Sequence, residues 1–272
     1  MTAAFDGEGF RDHLATLTLG RPCVVTAHTD STNDDALAAA RAGAPHGALF
    51  VTDEQRRGRG RRGNTWHSTP GEALLFSVVL RPELAAERAA SLALVAGLAV
   101  RAAVASALDS AGVAKTAQVK WPNDVVVERL KVAGILVESQ MRGDKLSAAV
   151  VGVGLNVGRV ELPPEVKARA TSLVALGAQV KREPLLAAVL AELETRLARL
   201  ERGERDQPPL SSLVTELSAF DAVRGERVSV GDVAGTAAGI DALGNLLVLD
   251  DGGLTHRVSS GHVVVETWER ES

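Results

Sequence analysis

The sequence predicts an α/β (α+β) protein with a large domain built on one sheet and a small β-barrel domain at its carboxyl end. Three observations predict this class: a strand–helix unit that begins near residue 24, an eight-residue apolar run at Ala73–Leu80, and short strands separated by Gly and Asp turns after Phe220. A chain of 272 residues can hold one large core and one small core. We therefore expect two domains, residues 1–220 and residues 221–272.

The first part of the large domain alternates between predicted strands and helices. Val24–Thr26 is a β-branched run, and Ser31 or Thr32 can cap the Ala-rich helix that follows it. Ala48–Thr52 predicts a second strand, and Ala73–Leu80 is apolar throughout, as in a strand covered on both faces. The Arg-rich stretch between these two strands is therefore predicted to be a loop that joins two strands of the sheet.

The second part adds helices, further strands and the small domain. From Pro82 to Ala111, apolar residues recur on nearly all sides among helix-forming alanines, which predicts a buried helix. Further helices are predicted at residues Pro184–Gly203 and around Leu210–Phe220. Four more strands, two of them joined by the turn sequence MRGDK, are Val119–Lys120, Val125–Val127, Val132–Gln140 and Leu146–Val157. The small domain is expected to form strands at RVSV, GTAAGI, NLLVLD, THRV and HVVVETW.

Composition narrows the class of protein. A net charge of −4 with 46% apolar and 24% charged residues is typical of a soluble globular protein, and a general nucleic-acid binder is usually more basic. The single cysteine, Cys23, cannot form an internal disulfide, and the sequence MTAAFDGEGF lacks the features of a signal peptide. The apolar stretch Leu92–Leu108 is shorter than the roughly 20 residues that span a bilayer. We expect a cytoplasmic protein with neither a membrane nor a nucleic acid as partner.

The strongest candidate site is the Arg-rich loop. Five arginines and three glycines fall between Arg56 and Gly63. Guanidinium groups this close repel one another, whereas a phosphate or a developing oxyanion can pair with several of them at once. Taken alone, the stretch is equally compatible with a solvated surface loop. A second signal is needed to choose between these interpretations.

Two later segments favour an anion site. Lys131 opens an apolar strand, where a cation is costly unless an anion meets it. In VVGVGLNVG, Gly152 and Gly154 allow backbone to approach a ligand closely, and Asn156 offers an amide that donates and accepts. Each segment also has a structural interpretation, because KWPND can be a tight turn and Gly-x-Gly in a strand is often a bulge.

In this order, the segments resemble the biotin protein ligases, which activate biotin with ATP and attach it to a lysine of a carrier protein. The resemblance rests on DSTN, the Gln55–Trp66 loop, KWPND with its following lysine, GILVES, GLNVG and ATSL, and it covers Asp30 to about Leu173. It implies a mixed-sheet catalytic domain of the biotin/lipoate ligase type followed by an SH3-like barrel. The implied substrates are biotin and ATP with Mg²⁺, and the implied partner is the biotin carboxyl carrier domain of an acyl-CoA carboxylase. A monomer or a weak homodimer is expected.

The resemblance also implies roles for individual residues. Arg61 and Lys131 are the implied catalytic cations, Gln55 the residue that bonds the ureido end of biotin, and Asn156 the residue that reads adenine. Asp124 is a candidate contributor to Mg²⁺ binding. The implied contacts with biotin or its adenylate are Ser31, Thr32, Asn33, Gln55, Gly58, Arg59, Gly60, Arg61, Trp66, Lys131, Gly134, Gly152, Gly154 and Asn156.

Three features separate this chain from the family pattern or from some family members. Asn64 stands where the family loop commonly has another arginine, which predicts weaker retention of the intermediate. The one tryptophan after Asn156 is Trp268, in the predicted last strand, which leaves an aliphatic side chain to cover adenine. Only about twenty residues precede the first predicted strand, too few for the N-terminal helix-turn-helix domain of some members. We therefore expect no specific DNA binding.

Two other functions stay open. A lipoate or octanoyl ligase shares the architecture and the acyl-adenylate chemistry, although GRGRRGNTW together with KWPND favours biotin. The non-enzyme alternative is a module that binds a phosphate backbone. An aromatic content of 3%, with no tyrosine, offers few side chains on which bases could stack, so this alternative is the weaker one.

Overall fold

The computed structural model describes residues 4–81, 91–142, 145–202 and 207–269, which form two sheets with helices packed on them. The larger sheet has the strand order β1-β2-β3-β7-β6-β5-β4. Its strands are β1 (Cys23–Thr29), β2 (Leu49–Gln55), β3 (Ala73–Leu80), β4 (Ala117–Lys120), β5 (Asp124–Val127), β6 (Leu130–Arg142) and β7 (Lys145–Asn156). β1 and β2 are parallel and the other neighbours are antiparallel, so the predicted mixed sheet is confirmed.

Helices pack on the large sheet, on one another and, for α6 and α7, on strands of the small sheet. They are α1 (Gly7–His13), α2 (Thr32–Arg41), α3 (Ser91–Ser110), α4 (Pro164–Lys167), α5 (Arg182–Arg202), α6 (Val214–Ala219) and α7 (Glu266–Glu269). α3 and α5 confirm two predicted helices, and residues 82–90 of the first prediction lie outside the described residues. α6 is shorter than predicted because residues 209–213 form hydrogen-bonded turns, in which Leu213 N donates to Leu210 O at 2.8 Å.

α3 is the central buried helix that the sequence predicts. It packs against α5 and the strands β4 and β6, and Leu92, Leu98 and Leu108 on it are fully buried. Its 20 residues and a mean hydropathy of 1.9 would suffice to cross a membrane, so the sequence argument from length is wrong. Two thirds of the apolar window (67%) is buried inside the protein, which identifies α3 as a core helix.

The smaller sheet contains β8 (Arg227–Val230), β9 (Val233–Ile240), β10 (Leu246–Leu249), β11 (Thr255–Val258) and β12 (Val264–Val265). All its neighbours are antiparallel, in the order β11-β10-β9-β8-β12. The sequence HVVVETW is not one strand, because β12 pairs with β8 through only Val228 and Ser229 and the chain then turns into α7. Trp268 therefore lies on a helix, and its placement in the last strand was wrong.

The two sheets are joined along β4. Val119 N donates to Phe220 O at 2.8 Å, and Ala222 N donates to Val119 O at 2.9 Å. Trp121 is buried and its Nε1 donates to Gly244 O at 2.9 Å, in the turn before β10. These bonds hold the small sheet against the end of the large sheet. The domain boundary between residues 220 and 221 falls within this paired segment and stays a prediction.

Candidate active site

A cavity of about 220 Å³ lies where β6 and β7 meet the segment that opens α2 and the Arg-rich loop between β2 and β3. Gly261, His262 and Val263 of the small domain also line it. Of the residues singled out in the sequence, Ser31, Thr32, Asn33, Gln55, Arg59, Gly60, Arg61, Trp66, Asp124, Lys131, Gly134, Gly152 and Gly154 line this cavity. Within the part of the chain that the structure describes, Gly58 and Asn156 are not among its lining residues.

The segment that opens α2 is held by polar contacts. Thr32 N and Thr32 Oγ1 both donate to Gln55 Oε1, at 2.9 and 3.0 Å. The hydroxyl of Ser77 lies 2.7 Å from Thr32 Oγ1 and 2.6 Å from Asn33 Oδ1. These contacts fix the buried polar side chains of Thr32 and Asn33 and engage the oxygen of Gln55, which leaves its Nε2 group as the donor of that side chain.

The glycines of β6 and β7 make room for side chains of the cavity. A Cβ atom on Gly152 would lie 1.9 Å from Asn33 Oδ1, and one on Gly154 would lie 2.3 Å from Trp66 Cε2. Such distances are far inside van der Waals contact. The sequence predicted close backbone approach at these glycines. The structure adds that Asn33 and Trp66 themselves occupy the space.

The Arg-rich loop is folded back on itself. Gly60 N donates to Asn64 O at 2.7 Å, and Trp66 N donates to Gly58 O at 2.9 Å. Gly58 belongs to this turn of backbone, since a Cβ there would lie 2.7 Å from Trp66 O. The loop thus presents its arginine side chains on a short hairpin between β2 and β3.

The two arginines at the centre of the loop have different surroundings. Arg59 Nη2 lies 2.6 Å from Asp34 Oδ1 and 2.9 Å from Glu138 Oε2, so two carboxylates already neutralise it. Arg61 Nη1 donates to Asn123 Oδ1 at 3.3 Å, and none of the ion pairs among the described residues involves Arg61. Burial lowers the pKa of the Arg61 guanidinium, and Arg62 lowers it further while Asp124 opposes the change. Arginine stays charged at neutral pH, so Arg61 is the loop cation best placed for an added anion.

Lys131 is fixed near the start of β6. Its backbone N donates to Arg169 O at 2.9 Å and its O accepts from Thr171 N at 2.8 Å. Its Nζ lies 2.7 Å from Asp124 Oδ1 and 5.5 Å from the centre of the Trp66 ring. The anion expected beside this lysine is therefore present as Asp124. Asp124 Oδ1 is buried and in contact with the ammonium, so the two charges neutralise each other in the cavity without a ligand.

Asn156 ends β7, two residues after Gly154. Its Nδ2 donates to Thr171 O at 3.0 Å, and its Oδ1 is buried without a hydrogen-bond partner among the described residues. A buried acceptor without a donor is costly and is typical of a position that a ligand completes. Asn156 does not line the 220 Å³ cavity, so its contact with adenine stays a prediction.

The structure adds residues that the sequence did not single out. Asp34 and Glu138 pair with Arg59, and His262 brings a side chain from the small domain. Burial lowers the pKa of the His262 imidazole, and Lys120 contributes to this while Asp124 opposes it. Glu138 lies within the motif GILVES, but the sequence contains no signal for its pairing with Arg59, about 80 positions earlier in the chain. His262 could not be found because its position depends on how the two sheets are joined.

Two larger spaces adjoin the cavity. One, of about 1000 Å³, follows the outer side of the Arg-rich loop to Gly244 and Leu243 of the small domain. The other, of about 750 Å³, is lined by Lys120, His262 and Trp268. The site therefore opens on both sides of the Arg-rich loop, which leaves space for a ligand larger than one small acid.

The carboxylates of the site fit a metal that arrives with a nucleotide. Among the described residues, no group of three or more His, Cys, Asp or Glu side chains could hold a metal ion. Mg²⁺ is commonly held by one or two protein carboxylates together with substrate phosphates and water. Asp124 is the one carboxylate among the described residues that line the cavity, so it is the residue that would hold such a metal.

Comparison with known proteins identifies the family to which the chain belongs. Residues 25–156 match the Biotin/lipoate A/B protein ligase family, and residues 222–265 match the Biotin protein ligase C terminal domain. The biotin–acetyl-CoA-carboxylase ligase of Mycobacterium tuberculosis is 38% identical to this chain over 263 residues, which are 95% of this chain and 95% of that protein. The chain therefore belongs to the biotin protein ligase family, and the resemblance found in the sequence is confirmed.

Other relatives agree with this assignment over different lengths. The Bifunctional ligase/repressor BirA proteins of Bacillus subtilis and Bacillus spizizenii are each 34% identical over 186 residues, which span only 56% of those proteins. The biotin protein ligase from Aquifex aeolicus in complex with biotin and ATP superposes with a TM-score of 0.74 at 29% identity, covering 90% of this chain and 99% of that one. The predicted fold, a mixed-sheet domain with an SH3-like C-terminal domain, is confirmed.

Proposed function

We propose that this protein is an ATP-dependent biotin protein ligase that forms biotinyl-AMP and pyrophosphate and then transfers biotin to a lysine of a carrier domain. The observation that carries the proposal is the meeting of Arg61 and Lys131 in one cavity, from a loop and a strand that are far apart in sequence. Biotin's carboxylate and ATP are both anions, so bringing them together requires positive charge between them. Among the described residues, five cationic side chains line the cavity against one carboxylate, Asp124, and this excess of positive charge suits that pair of substrates.

In the proposed complex, biotin lies with its ring system toward β6 and β7 and its carboxylate toward Lys131. The ureido group needs donors and acceptors, which Ser31, Thr32 and Gln55 provide at the inner end of the cavity. The apolar ring and chain lie beside Trp66, which itself covers Gly154 on β7. Lipoate and octanoate have no ureido group and form no equivalent hydrogen bonds with these polar side chains, which disfavours both acids.

The first reaction is attack by a biotin carboxylate oxygen on the α-phosphorus of ATP. The bond from the α-phosphorus to the bridging oxygen breaks, and pyrophosphate leaves with that electron pair. Lys131 and Arg61 stabilise the charge that develops on the phosphoryl oxygens, which is electrostatic catalysis without a covalent enzyme intermediate. Mg²⁺ bound with the nucleotide would neutralise phosphate charge, and Asp124 is the residue that would hold it.

The second reaction moves the biotinyl group to the carrier. The neutral amine of a lysine attacks the carbonyl of biotinyl-AMP, and AMP leaves as the amide forms. Because the mixed anhydride is reactive toward water, the Arg-rich loop must cover it until the carrier arrives. The partner is a biotin carboxyl carrier domain, in keeping with the acetyl-CoA carboxylase named for the Mycobacterium tuberculosis relative.

The proposal is tested by measuring pyrophosphate release from ATP with biotin, lipoate or octanoate as the acid. We expect release that depends on biotin, followed by labelling of a purified biotin carboxyl carrier domain when biotin carries the label. A carrier whose acceptor lysine is replaced by arginine serves as the control. Release with lipoate or octanoate and not with biotin would replace this function by the related ligase, and release with none of the three would refute it.

Closure of the loop over the adenylate gives a second test. The arginines from Arg56 to Arg62 are trypsin sites on a Gly-rich loop, so we expect rapid cleavage there without ligands and strong protection with biotin and ATP. Cleavage sites can be assigned by mass spectrometry of the fragments, with cleavage elsewhere in the chain as the internal control. Equal cutting of the loop with and without ligands would argue against a role as a lid.

A further inference from the structure

Glu138, on β6, joins two parts of the cavity that are far apart in sequence. Its Oε2 accepts a hydrogen bond from Asn33 Nδ2 at 2.7 Å and lies 2.9 Å from Arg59 Nη2. Asn33 belongs to the inner segment that opens α2, whereas Arg59 belongs to the Arg-rich loop. One carboxylate oxygen therefore holds both the inner segment and the loop.

The amide of Asn33 has little freedom to find another partner. Asn33 is 4% exposed, and its Oδ1 is engaged by Ser77 Oγ at 2.6 Å and packs against Gly152. Apart from Glu138, its Nδ2 has a long contact of 3.4 Å with Leu136 O. Since a buried donor without a good acceptor costs free energy, the position of Asn33 depends on Glu138.

Arg59 has two carboxylate partners with different surroundings. Asp34 pairs with it at 2.6 Å, and the side chain of Asp34 is 56% exposed. Glu138 pairs with it at 2.9 Å and is 27% exposed. Both can neutralise the guanidinium, but Glu138 also bonds the inner segment. Substitution of each carboxylate in turn can therefore distinguish two effects: neutralisation of Arg59, which both residues provide, and linkage to Asn33, which Glu138 provides.

We propose that Glu138 is a positioning residue that couples ligand contact at the Ser31–Asn33 segment to closure of the Arg-rich loop. The inference rests on the proposed function, with biotin as the ligand that contacts this segment. A carboxylate held by two donors is fixed more firmly than one held by either, so a ligand that contacts the Ser31–Asn33 segment acts through the bond from Asn33 on the acceptor for Arg59. Such linkage is a coupling free energy between two places in the site, and it acts in both directions.

The first test compares Glu138→Gln with Asp34→Asn, which both remove one charge beside Arg59 without changing side-chain size. We expect Glu138→Gln to raise the KM and Kd for biotin roughly tenfold, since hydrogen bonds to charged groups are the strong ones. The kcat should fall less than KM rises, and biotin should no longer protect the loop from trypsin. Asp34→Asn should retain protection by biotin, because it leaves the contact between Glu138 and Asn33 in place.

The second test measures coupling directly with Asn33→Ala, Arg59→Ala and the double variant. In the wild-type background, we expect the effects of the two substitutions on biotin affinity to be non-additive by several-fold, because both act through Glu138. In the Glu138→Gln background the same effects should add. Thermal unfolding of each variant identifies any that lose the fold, and the cycle in the wild-type background stands without Glu138→Gln.

The outcomes separate this inference from the proposed function. Wild-type protein that does not bind biotin would overturn the proposed function itself. Wild-type protein that binds biotin, while Glu138→Gln keeps normal affinity and loop protection, would overturn the coupling alone. Additive effects of Asn33→Ala and Arg59→Ala in the wild-type background would do the same.

Discussion

The strand wall and the loop wall of the cavity are built in different ways. Gly134, Gly152 and Gly154 lie in continuous ladders of backbone hydrogen bonds between β6 and its neighbours, and Lys131 is tied by two further backbone bonds. The Arg-rich loop has a few hydrogen bonds at its neck, and most of its arginines are exposed. The strands therefore supply the fixed shape of the cavity, and the loop supplies most of its positive charge. The proposed function assigns selection of the acid to the strand wall and closure over the product to the loop wall.

The largest effect is expected from Lys131, the cation on β6 at the strand wall. Lys131→Ala should lower biotin-dependent pyrophosphate release by about 10²–10³, because a fixed donor beside developing charge is worth that much in rate. Biotin affinity should change less than the rate. Lys115→Ala, which removes a lysine paired with Glu128 at 3.9 Å, serves as the control. Unchanged pyrophosphate release by Lys131→Ala would refute its catalytic role and the distinction between the two walls.

Arg61 gives the matching test on the loop wall. Arg61→Ala should lower pyrophosphate release by roughly 10², because it removes one donor to the phosphoryl oxygens. The effect should be smaller than at Lys131, because the loop must first bring this guanidinium to the phosphate. Arg57→Ala is the matched control, since Arg57 is in the same loop, is 82% exposed and lies 3.6 Å from Asp30. We expect little change there. If both variants lose activity equally, the loop acts through its net charge and not through one placed side chain.

The sequence predicted the strand wall better than the loop wall. Periodicity located β3, β6 and β7 to within a few residues, and the motifs located Lys131 on β6, because these features depend on residues close in sequence. The contacts of Arg59 with Asp34 and Glu138 depend on the folded path of a loop with few bonds of its own, and no local pattern encodes that path.

The small domain shows the same limit. Gly and Asp turns predicted its strands, but the last segment was placed in one strand where the structure has β12 and α7. Whether a strand continues depends on the length of its neighbour, here β8, which is a property of the folded sheet. His262 was missed for a related reason, since it reaches the cavity only because Trp121 and β4 hold the two sheets together.

A smaller effect on activity is expected when the strand wall is filled. Gly154→Ala would place a Cβ 2.3 Å from Trp66 Cε2, so the indole must move into the space proposed for biotin. We expect biotin affinity to fall about tenfold, in line with the 1–3 kcal/mol that overpacking typically costs. Gly97→Ala in α3, where the nearest atom lies at 3.5 Å, is the control and should bind biotin normally. Normal biotin affinity in Gly154→Ala, measured by calorimetry, would contradict this prediction and show that Trp66 can move without entering the space for biotin.

The smallest effect on activity, with a measurable effect on stability, is expected at Asp221, which pairs with Val119 of β4. Burial raises the pKa of its carboxyl from 3.8 to about 6, while the N–H of Val223, which donates to Oδ1 at 3.0 Å, opposes the shift. The folded protein thus binds this proton more tightly than the unfolded chain does. The resulting stabilisation is complete below about pH 3.8 and is lost as the pH rises through about 6.

Asp221→Asn keeps an oxygen for Val223 N and removes the charge that burial penalises. We expect the variant to be more stable than the wild type by about 1–2 kcal/mol at pH 8. This gain is smaller than the pKa shift alone would give, because the amide leaves one buried polar group without a partner. The difference should disappear near pH 4, where the wild-type carboxyl is protonated. Urea unfolding across this range measures it, with Asp232→Asn in the exposed turn after β8 as control. Loop protection by biotin should stay at the wild-type level, and its loss would show that stability of the strand wall and closure of the loop are not separable.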